Sequence, residues 1–237
     1  MAWESPGWQT VDSRAVDAAL VQESQRAFMA RVYGWMFTGL GLTGMVAFLT
    51  ASNEAAMLMV RQWSLALLLA QLGAVFTLAG FARRLPGPVA AALFLGYSVL
   101  TGLTFSVLFH VYTEGSIGQA LLLTAGTFGA LSVFATVTKK DLSGWSTFLF
   151  MGLFGVLIAS VIQIFVQSSM LSFVTACASV VVFAGLTAYD TQKLRQMHAA
   201  TGFSSAMSVS ILGALELYLD FINLFLALLR LFGDRRR

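Results

Sequence analysis

One stretch near the carboxyl end places acidic side chains inside an apolar run. It reads Ser210-Ile-Leu-Gly-Ala-Leu-Glu-Leu-Tyr-Leu-Asp-Phe-Ile-Asn-Leu-Phe-Leu-Ala-Leu-Leu-Arg230, and a helix of about 20 residues crosses the hydrocarbon core of a bilayer. Glu216 and Asp220 are four residues apart and Asn223 follows three later, so all three share one helical face. A charge at the bilayer centre costs about 2.5–3.5 kcal/mol on insertion scales. This face must therefore look into a protein interior or a water-filled cavity.

Two uses of this acidic face are open from the residues alone. The first is a buried polar network that locks neighbouring helices together. The second is a polar pathway or a proton-sensitive site, in which the carboxyl groups gain and lose protons. Acidic side chains at this depth are usually functional, which favours the second use.

The composition places the rest of the chain in a membrane too. Of the 237 residues, 58% are hydrophobic and 11% are charged, against about 45–50% and about 25% in soluble domains. Seven apolar runs are long enough to span a bilayer, and their continuous apolar character favours helices over a β-barrel. They are Val32–Ala51, Trp63–Phe81, Gly87–His110, Ser116–Thr138, Gly144–Val166, Ser169–Tyr189 and Met207–Phe232. The sequence predicts an all-α, polytopic membrane protein.

Other classes of protein are disfavoured by the counts. The single cysteine, Cys177, excludes a disulfide scaffold and a cysteine-based metal site. His110 and His198 have no second ligand at metal-binding spacing, so we expect no metal centre or bound cofactor. The 14 Lys and Arg residues are scattered at the ends of the apolar runs, so nucleic-acid binding is not expected.

The basic residues predict that the amino terminus is cytoplasmic, because short cytoplasmic loops carry an excess of Lys and Arg. The opposite side has Arg61 alone in its loops. The predicted cytoplasmic side has nine: Arg14, Arg26, Arg31, Arg83, Arg84, Lys139, Lys140, Lys193 and Arg195. Seven crossings would leave Arg230 and residues 235–237 on the far side, against the rule. Either the tail is tolerated there or the seventh segment does not cross fully.

The predicted organisation has three parts. Residues 1–27 form a polar cytoplasmic segment, residues 28–233 form the seven-helix transmembrane domain, and residues 234–237 form a short basic tail. The first 27 residues are too polar for a secretory signal. Val11 to Arg31 is either a helix that leads into the first span or a solvated tail.

A second acidic side chain ends the sixth run, in Gly185-Leu-Thr-Ala-Tyr-Asp-Thr-Gln-Lys-Leu194. By itself Asp190 could be an ordinary interfacial carboxylate near Lys193. If Asp190 meets Asp220 in a dry site, the two carboxyls share a proton and titrate as a pair. The repulsion between the two helices then depends on the proton count, which would make the pair a gate.

These two motifs resemble the Bax inhibitor-1 family, also called the transmembrane BAX inhibitor motif family. The resemblance rests on the segments 183–193 and 213–225, supported by 31–33, 96–102 and 138–143, and covers about residues 25–233. It implies a bacterial inner-membrane bundle of seven helices with the seventh near the centre. It also implies a pH-sensitive calcium leak, in which Asp190 and Asp220 are the proton sensor.

The resemblance also suggests roles for residues on other helices. An arginine at the cytoplasmic end of the second helix bonds the aspartate pair in the family, and Arg83 matches it best, with Arg84 second. Many members carry a glutamate where this chain has Gln71. An amide cannot deprotonate and binds a hard cation less well than a carboxylate. Glu216, Asn223 and Gln71 are candidate pore-lining or ion-contacting groups.

The resemblance supports a second reading as well. Some bacterial members modulate a membrane-bound ATP-dependent protease, and residues 1–27 would then be the handle for that partner. An intramembrane aspartyl protease fits poorly, because residues 217–220 read Leu-Tyr-Leu-Asp and lack the glycines that admit a substrate backbone. We therefore predict no enzymatic activity. The expected partners are the lipid bilayer, protons and Ca²⁺, the last as the transported ion.

Overall fold

The computed structural model describes residues 13–81, 85–200 and 207–236, without the side chains of 13–19 and 197–200. The described part contains nine α-helices, a 3₁₀ turn at Ser143–Trp145 and no strand longer than an isolated bridge. The helices are α1 (Ser13–Ala51), α2 (Glu54–Gln62), α3 (Ser64–Phe81), α4 (Gly87–Phe105), α5 (Leu108–Val111), α6 (Glu114–Val137), α7 (Ser146–Phe165), α8 (Ser169–Ala200) and α9 (Met207–Phe232). The all-α prediction is confirmed.

Seven of the helical stretches are long and apolar enough to cross a membrane. They correspond to the seven predicted runs, with α4 and α5 together forming the third crossing. The ends differ by more than two residues at two helices. α1 is helical from Ser13, the first described residue, so for the segment before the first span the helical alternative is the one observed over the described residues. α8 continues to Ala200, well past the predicted end of the sixth run at Tyr189.

The short helix α2 was not predicted. It begins where the Asn53 side chain accepts a hydrogen bond from the Ala56 N–H at 3.1 Å, which satisfies one of the free donors of its first turn. Met57 and Val60 are buried, whereas Arg61 is exposed. Nine residues are too few to cross a bilayer, so this amphipathic segment lies between the first and second crossings.

The acid-bearing helix α9 is the most buried of the seven crossings. Of its most apolar 18-residue window 78% is buried, against 6–39% in the other six. It packs against α1, α4, α6 and α8, and Leu215, Leu217 and Leu224 are almost completely enclosed. This burial removes the polar face of α9 from lipid, so the free-energy cost of placing its acidic side chains in hydrocarbon is avoided.

The two faces of the bundle are distinguished by the loops at the ends of α6. Residues 111–116, 168–169 and 233–236 form the tail face, where the Thr113 N–H donates to the Asp234 carbonyl at 3.1 Å. Residues 138–143 and the end of α8 form the loop face, where Arg195 Nη1 donates to the Thr136 carbonyl at 2.6 Å. α9 therefore runs the depth of the bundle, and the carboxyl-terminal tail lies opposite the 138–143 loop.

Close packing of α1 against α4 depends on a glycine. A Cβ added to Gly102 would lie 2.7 Å from the Thr43 carbonyl oxygen and 2.8 Å from Val46 Cβ, whereas one added to Gly96 of the same helix would meet nothing within 4 Å. Small residues of this kind let helix backbones approach each other in a bilayer.

We expect Gly102→Ala to destabilise the protein by about 1–3 kcal/mol, because α1 and α4 must separate to admit the methyl group. Gly96→Ala is the matched control, and it should be neutral or mildly stabilising, since alanine favours helix over glycine. Thermal unfolding of the purified variants in detergent measures both. Equal midpoints for the two variants would contradict the close contact.

Candidate functional site

The carboxyl groups of Asp190 and Asp220 lie side by side between α8 and α9. They lie within hydrogen-bonding reach of each other, and as whole residues Asp190 and Asp220 are only 9% and 4% exposed. The two carboxyls meet because α8 and α9 pack antiparallel. Asp190 lies beside Asp220, and Lys193, one turn further along α8, lies beside Glu216, one turn earlier in α9. The condition set by the sequence, that the two acidic side chains meet in a dry site, is fulfilled.

One oxygen of this pair has no donor. Asp220 Oδ2 is buried and has no hydrogen-bond partner among the described residues. A buried acceptor without a donor is costly, and one with a negative charge more so. A proton held between the two carboxyls would supply the missing donor. The arrangement therefore suits a pair that holds one proton between two acidic groups.

Lys193 joins the pair to a third acidic side chain. Its Nζ lies 3.0 Å from Glu216 Oε2 and 3.4 Å from Asp190 Oδ1. The Lys193 and Glu216 side chains are 35% and 27% exposed, so these ion pairs form the wetter edge of the site. We call Asp190, Asp220, Glu216 and Lys193 the carboxyl cluster. It holds three acidic groups and a single cation.

The sequence did not identify Lys193 as the counter-charge, although it is in the Asp190 motif. Its spacing of three from Asp190 puts both on one face of α8, which was the available signal. The counter-charge that we predicted was Arg83, with Arg84 as the alternative. Both lie outside the described residues.

The other two predicted ion-contacting residues do not bond to the carboxyl cluster. Asn223 Nδ2 donates to the Leu219 carbonyl of its own helix at 2.8 Å. Gln71 Nε2 lies 3.4 Å from Thr101 Oγ1, which connects α3 to α4. Of the predicted set, the described residues therefore bring together Asp190, Asp220 and Glu216.

A second polar network anchors α9 on its other side. The Tyr218 hydroxyl is 2.7 Å from Thr43 Oγ1 of α1, which also donates to the Ser98 carbonyl of α4 at 3.0 Å. The rings of Phe94 and Tyr97 pack edge-on against Tyr218. Because Tyr218 and Asp220 are two residues apart, they point in roughly opposite directions around the helix. α9 is thus fixed to α1 and α4 behind the carboxyl cluster.

Gln192 fixes the 138–143 loop to α8. Its side-chain Oε1 accepts from the Leu142 N–H at 2.7 Å, and its Nε2 donates to the Lys140 carbonyl at 2.9 Å. In the same loop Asp141 accepts from the Ser143 hydroxyl at 2.6 Å and from its N–H at 2.9 Å. These bonds lower the pKa of Asp141 below its usual value.

Within residues 13–81, 85–200 and 207–236 no three His, Cys, Asp or Glu side chains are grouped so as to hold a metal ion. His110 is exposed, and His198 is among the residues whose side chains are not described.

Comparison with known proteins places this bundle in a family. Residues 25–237 match the family model described as inhibitor of apoptosis-promoting Bax1. The chain belongs to the Bax inhibitor-1 family. Over 217 residues it is 46% identical to the inner membrane protein YbhL of Escherichia coli K12, covering 89% of this chain and 93% of that protein.

Other relatives of this Bax inhibitor-1 protein are bacterial too. It is 50% identical over 212 residues to an uncharacterized protein of Deinococcus radiodurans, covering 89% of this chain and 91% of that one. It is 40% identical over 227 residues to one of Borreliella burgdorferi, covering 92% and 98%. Together with the seven apolar helices, the likeness to YbhL makes this a multi-pass protein of the inner membrane.

Proposed function

We propose that this Bax inhibitor-1 protein is a calcium-permeable leak whose opening follows the proton count on Asp190 and Asp220. The observation that carries the proposal is the contact of two buried carboxyls, one of which has an oxygen without a donor. Such a contact is favourable with one shared proton and unfavourable with none. The pair can therefore exist in two arrangements that differ in the distance between α8 and α9.

The closed arrangement is held by the shared proton. With exposed fractions of 9% and 4%, Asp190 and Asp220 are out of reach of bulk water, so an ion path past them requires helix movement. While the proton is present, the two carboxyls hold α8 against α9. The bridge from Lys193 to Glu216 closes the wetter edge of the same contact.

Loss of the proton supplies the force for opening. Two like charges about 4 Å apart repel by about 4 kcal/mol at an effective dielectric constant of about 20. Shifting a two-state equilibrium from 1:99 to 99:1 takes about 5.5 kcal/mol, so repulsion of this size changes the populations substantially. Because α9 is tied to α1 through Tyr218 and Thr43, the movement falls on α8.

Separated carboxylates would offer Ca²⁺ the oxygen ligands that it prefers. Glu216 lies next to the pair and adds a third carboxylate, while Lys193 offsets part of the negative charge. Partial neutralisation weakens the binding of a cation at this site. Conduction needs binding weak enough to permit release, so this favours transport of the ion instead of its retention. This balance supports a leak in preference to a storage site.

Calcium entry into liposomes tests the proposal. The purified protein is reconstituted around a calcium indicator, and influx is compared with protein-free liposomes at about pH 6 and about pH 8. We expect protein-dependent influx that differs between the two pH values. No protein-dependent influx at either pH would contradict the leak and would favour the regulator of a membrane-bound protease.

A further inference from the structure

A polar cavity of about 590 Å³ opens on the tail face, away from the carboxyl cluster. Arg230 and Arg235 line it together with the polar residues Gln163, Gln167 and Ser168. No carboxylate is among its lining residues. The walls thus present guanidinium, amide and hydroxyl groups, all of which can donate hydrogen bonds.

The tail holds one of these arginines in place. The Asp234 N–H donates to Ser116 Oγ at 2.9 Å, and the Arg236 N–H donates to the Val111 carbonyl at 2.9 Å. Arg235 lies between these two anchored residues, so its backbone is fixed beside the cavity. Arg230 comes from the last turn of α9, and it is exposed at this end of the bundle.

The two cavity arginines differ from their neighbour in charge pairing. Arg236 lies 3.4 Å from Glu114 Oε1, whereas neither Arg230 nor Arg235 forms a salt bridge with a described carboxylate. Two cations without an acidic partner around one cavity repel each other, and an anion between them relieves that repulsion. Arginine forks suit phosphate, which can accept two parallel N–H bonds from each.

We propose that this cavity binds a phosphate group, supplied by the headgroup of an anionic phospholipid. Arg230 ends an apolar span, which places it at the depth of lipid headgroups, and the exposed Phe173 ring beside the cavity is positioned to contact acyl chains. A bound headgroup also accounts for the arginines that the topology rule disfavours on this face. They are retained by a ligand and not by a loop-charge preference.

Lipid retention and thermal stability test the site in the full-length protein. Wild type in nanodiscs of phosphatidylcholine with a minority of phosphatidylglycerol should retain phosphatidylglycerol preferentially on extraction. The double variant Arg230→Gln/Arg235→Gln should bind it about tenfold more weakly, since two ion pairs from exposed arginines, each of them weak, are lost. Arg236→Gln is the matched control, because Arg236 pairs with Glu114 outside the cavity, and it should bind like wild type.

A second arm separates lipid from free phosphate and from misfolding. The thermal unfolding midpoint of the protein in detergent is measured with inorganic phosphate and with chloride at equal ionic strength. A further sample contains mixed micelles of detergent and phosphatidylglycerol. Stabilisation of wild type by the lipid alone assigns the headgroup, and stabilisation by both assigns the phosphate group in general. Absence of stabilisation by either, or equal stabilisation of the double variant, would overturn the proposal. Gln163→Leu provides a variant that keeps both charges and should bind more weakly than wild type.

Discussion

Asp220→Asn and Asp190→Asn are each expected to abolish the pH dependence of calcium flux, so that the ratio of influx at about pH 8 to that at about pH 6 falls to about one. An amide has nearly the shape of a carboxylic acid but cannot lose a proton in this range. Either substitution leaves a single titrating group in the pair, so two negative charges can no longer face each other. The force that separates α8 from α9 is then missing at every pH.

Asp141→Asn is the matched control for these two variants. Asp141 lies on the loop face, is exposed, and is bonded to the hydroxyl and N–H of Ser143. Because those bonds lower its pKa below the usual value, the Asp141 carboxyl stays ionised through the neutral range. Its loss should leave the pH profile of influx unchanged. A pH profile that survives in both pair variants would remove the pair from the mechanism.

Lys193→Met is expected to raise calcium influx at low calcium several-fold and to lower the calcium concentration at which influx saturates by about tenfold. The Lys193 ammonium lies 3.0 Å from Glu216 and 3.4 Å from Asp190, where it occupies the position of a tethered cation. Without it, the cluster has three acidic groups and no counter-charge, and a divalent ion meets more negative charge. The bridge between α8 and α9 is lost as well.

Two other lysine variants keep this prediction specific. Lys193→Arg retains the charge and should preserve wild-type influx to within a few-fold. Lys139→Met removes an exposed charge from the loop face and should change influx little, since exposed charges are screened over about 10 Å at ordinary salt. If Lys139→Met and Lys193→Met alter calcium saturation equally, the effect is one of surface charge and the cluster plays no special part.

Much of the fold was predictable because the bilayer restricts the choices. Seven apolar runs of sufficient length became seven crossings, since the backbone of a lipid-exposed segment must satisfy its own hydrogen bonds. The contact of Asp190 with Asp220 was stated from the sequence only as a condition for a proton-sensitive pair. The reason was that an acidic side chain in a dry site needs a partner with which it can share a proton. Their sequence positions gave no distance between them.

The missed features depend on packing that periodicity does not encode. α2 has nine residues and is amphipathic, so it falls below any length criterion for a crossing. The tail, residues 234–237, was predicted only as basic, but the backbones of Asp234 and Arg236 pair with residues 111 and 113, which are far from them in the sequence. Lys193 was counted only as one of the basic residues that predict the orientation in the membrane, because such a count ignores where a side chain points. The cytoplasmic orientation of the amino terminus stays a prediction from that count.

The separation of the Asp190 and Asp220 carboxyls at two pH values tests the central claim most directly. Structures of the protein in a lipid environment at about pH 6 and about pH 8 would measure it. The account predicts carboxyls in contact at the lower pH, and at the higher pH carboxyls moved apart with α8 displaced from α9 and water between them. An unchanged contact at both pH values, in a protein whose calcium influx still responds to pH, would contradict it.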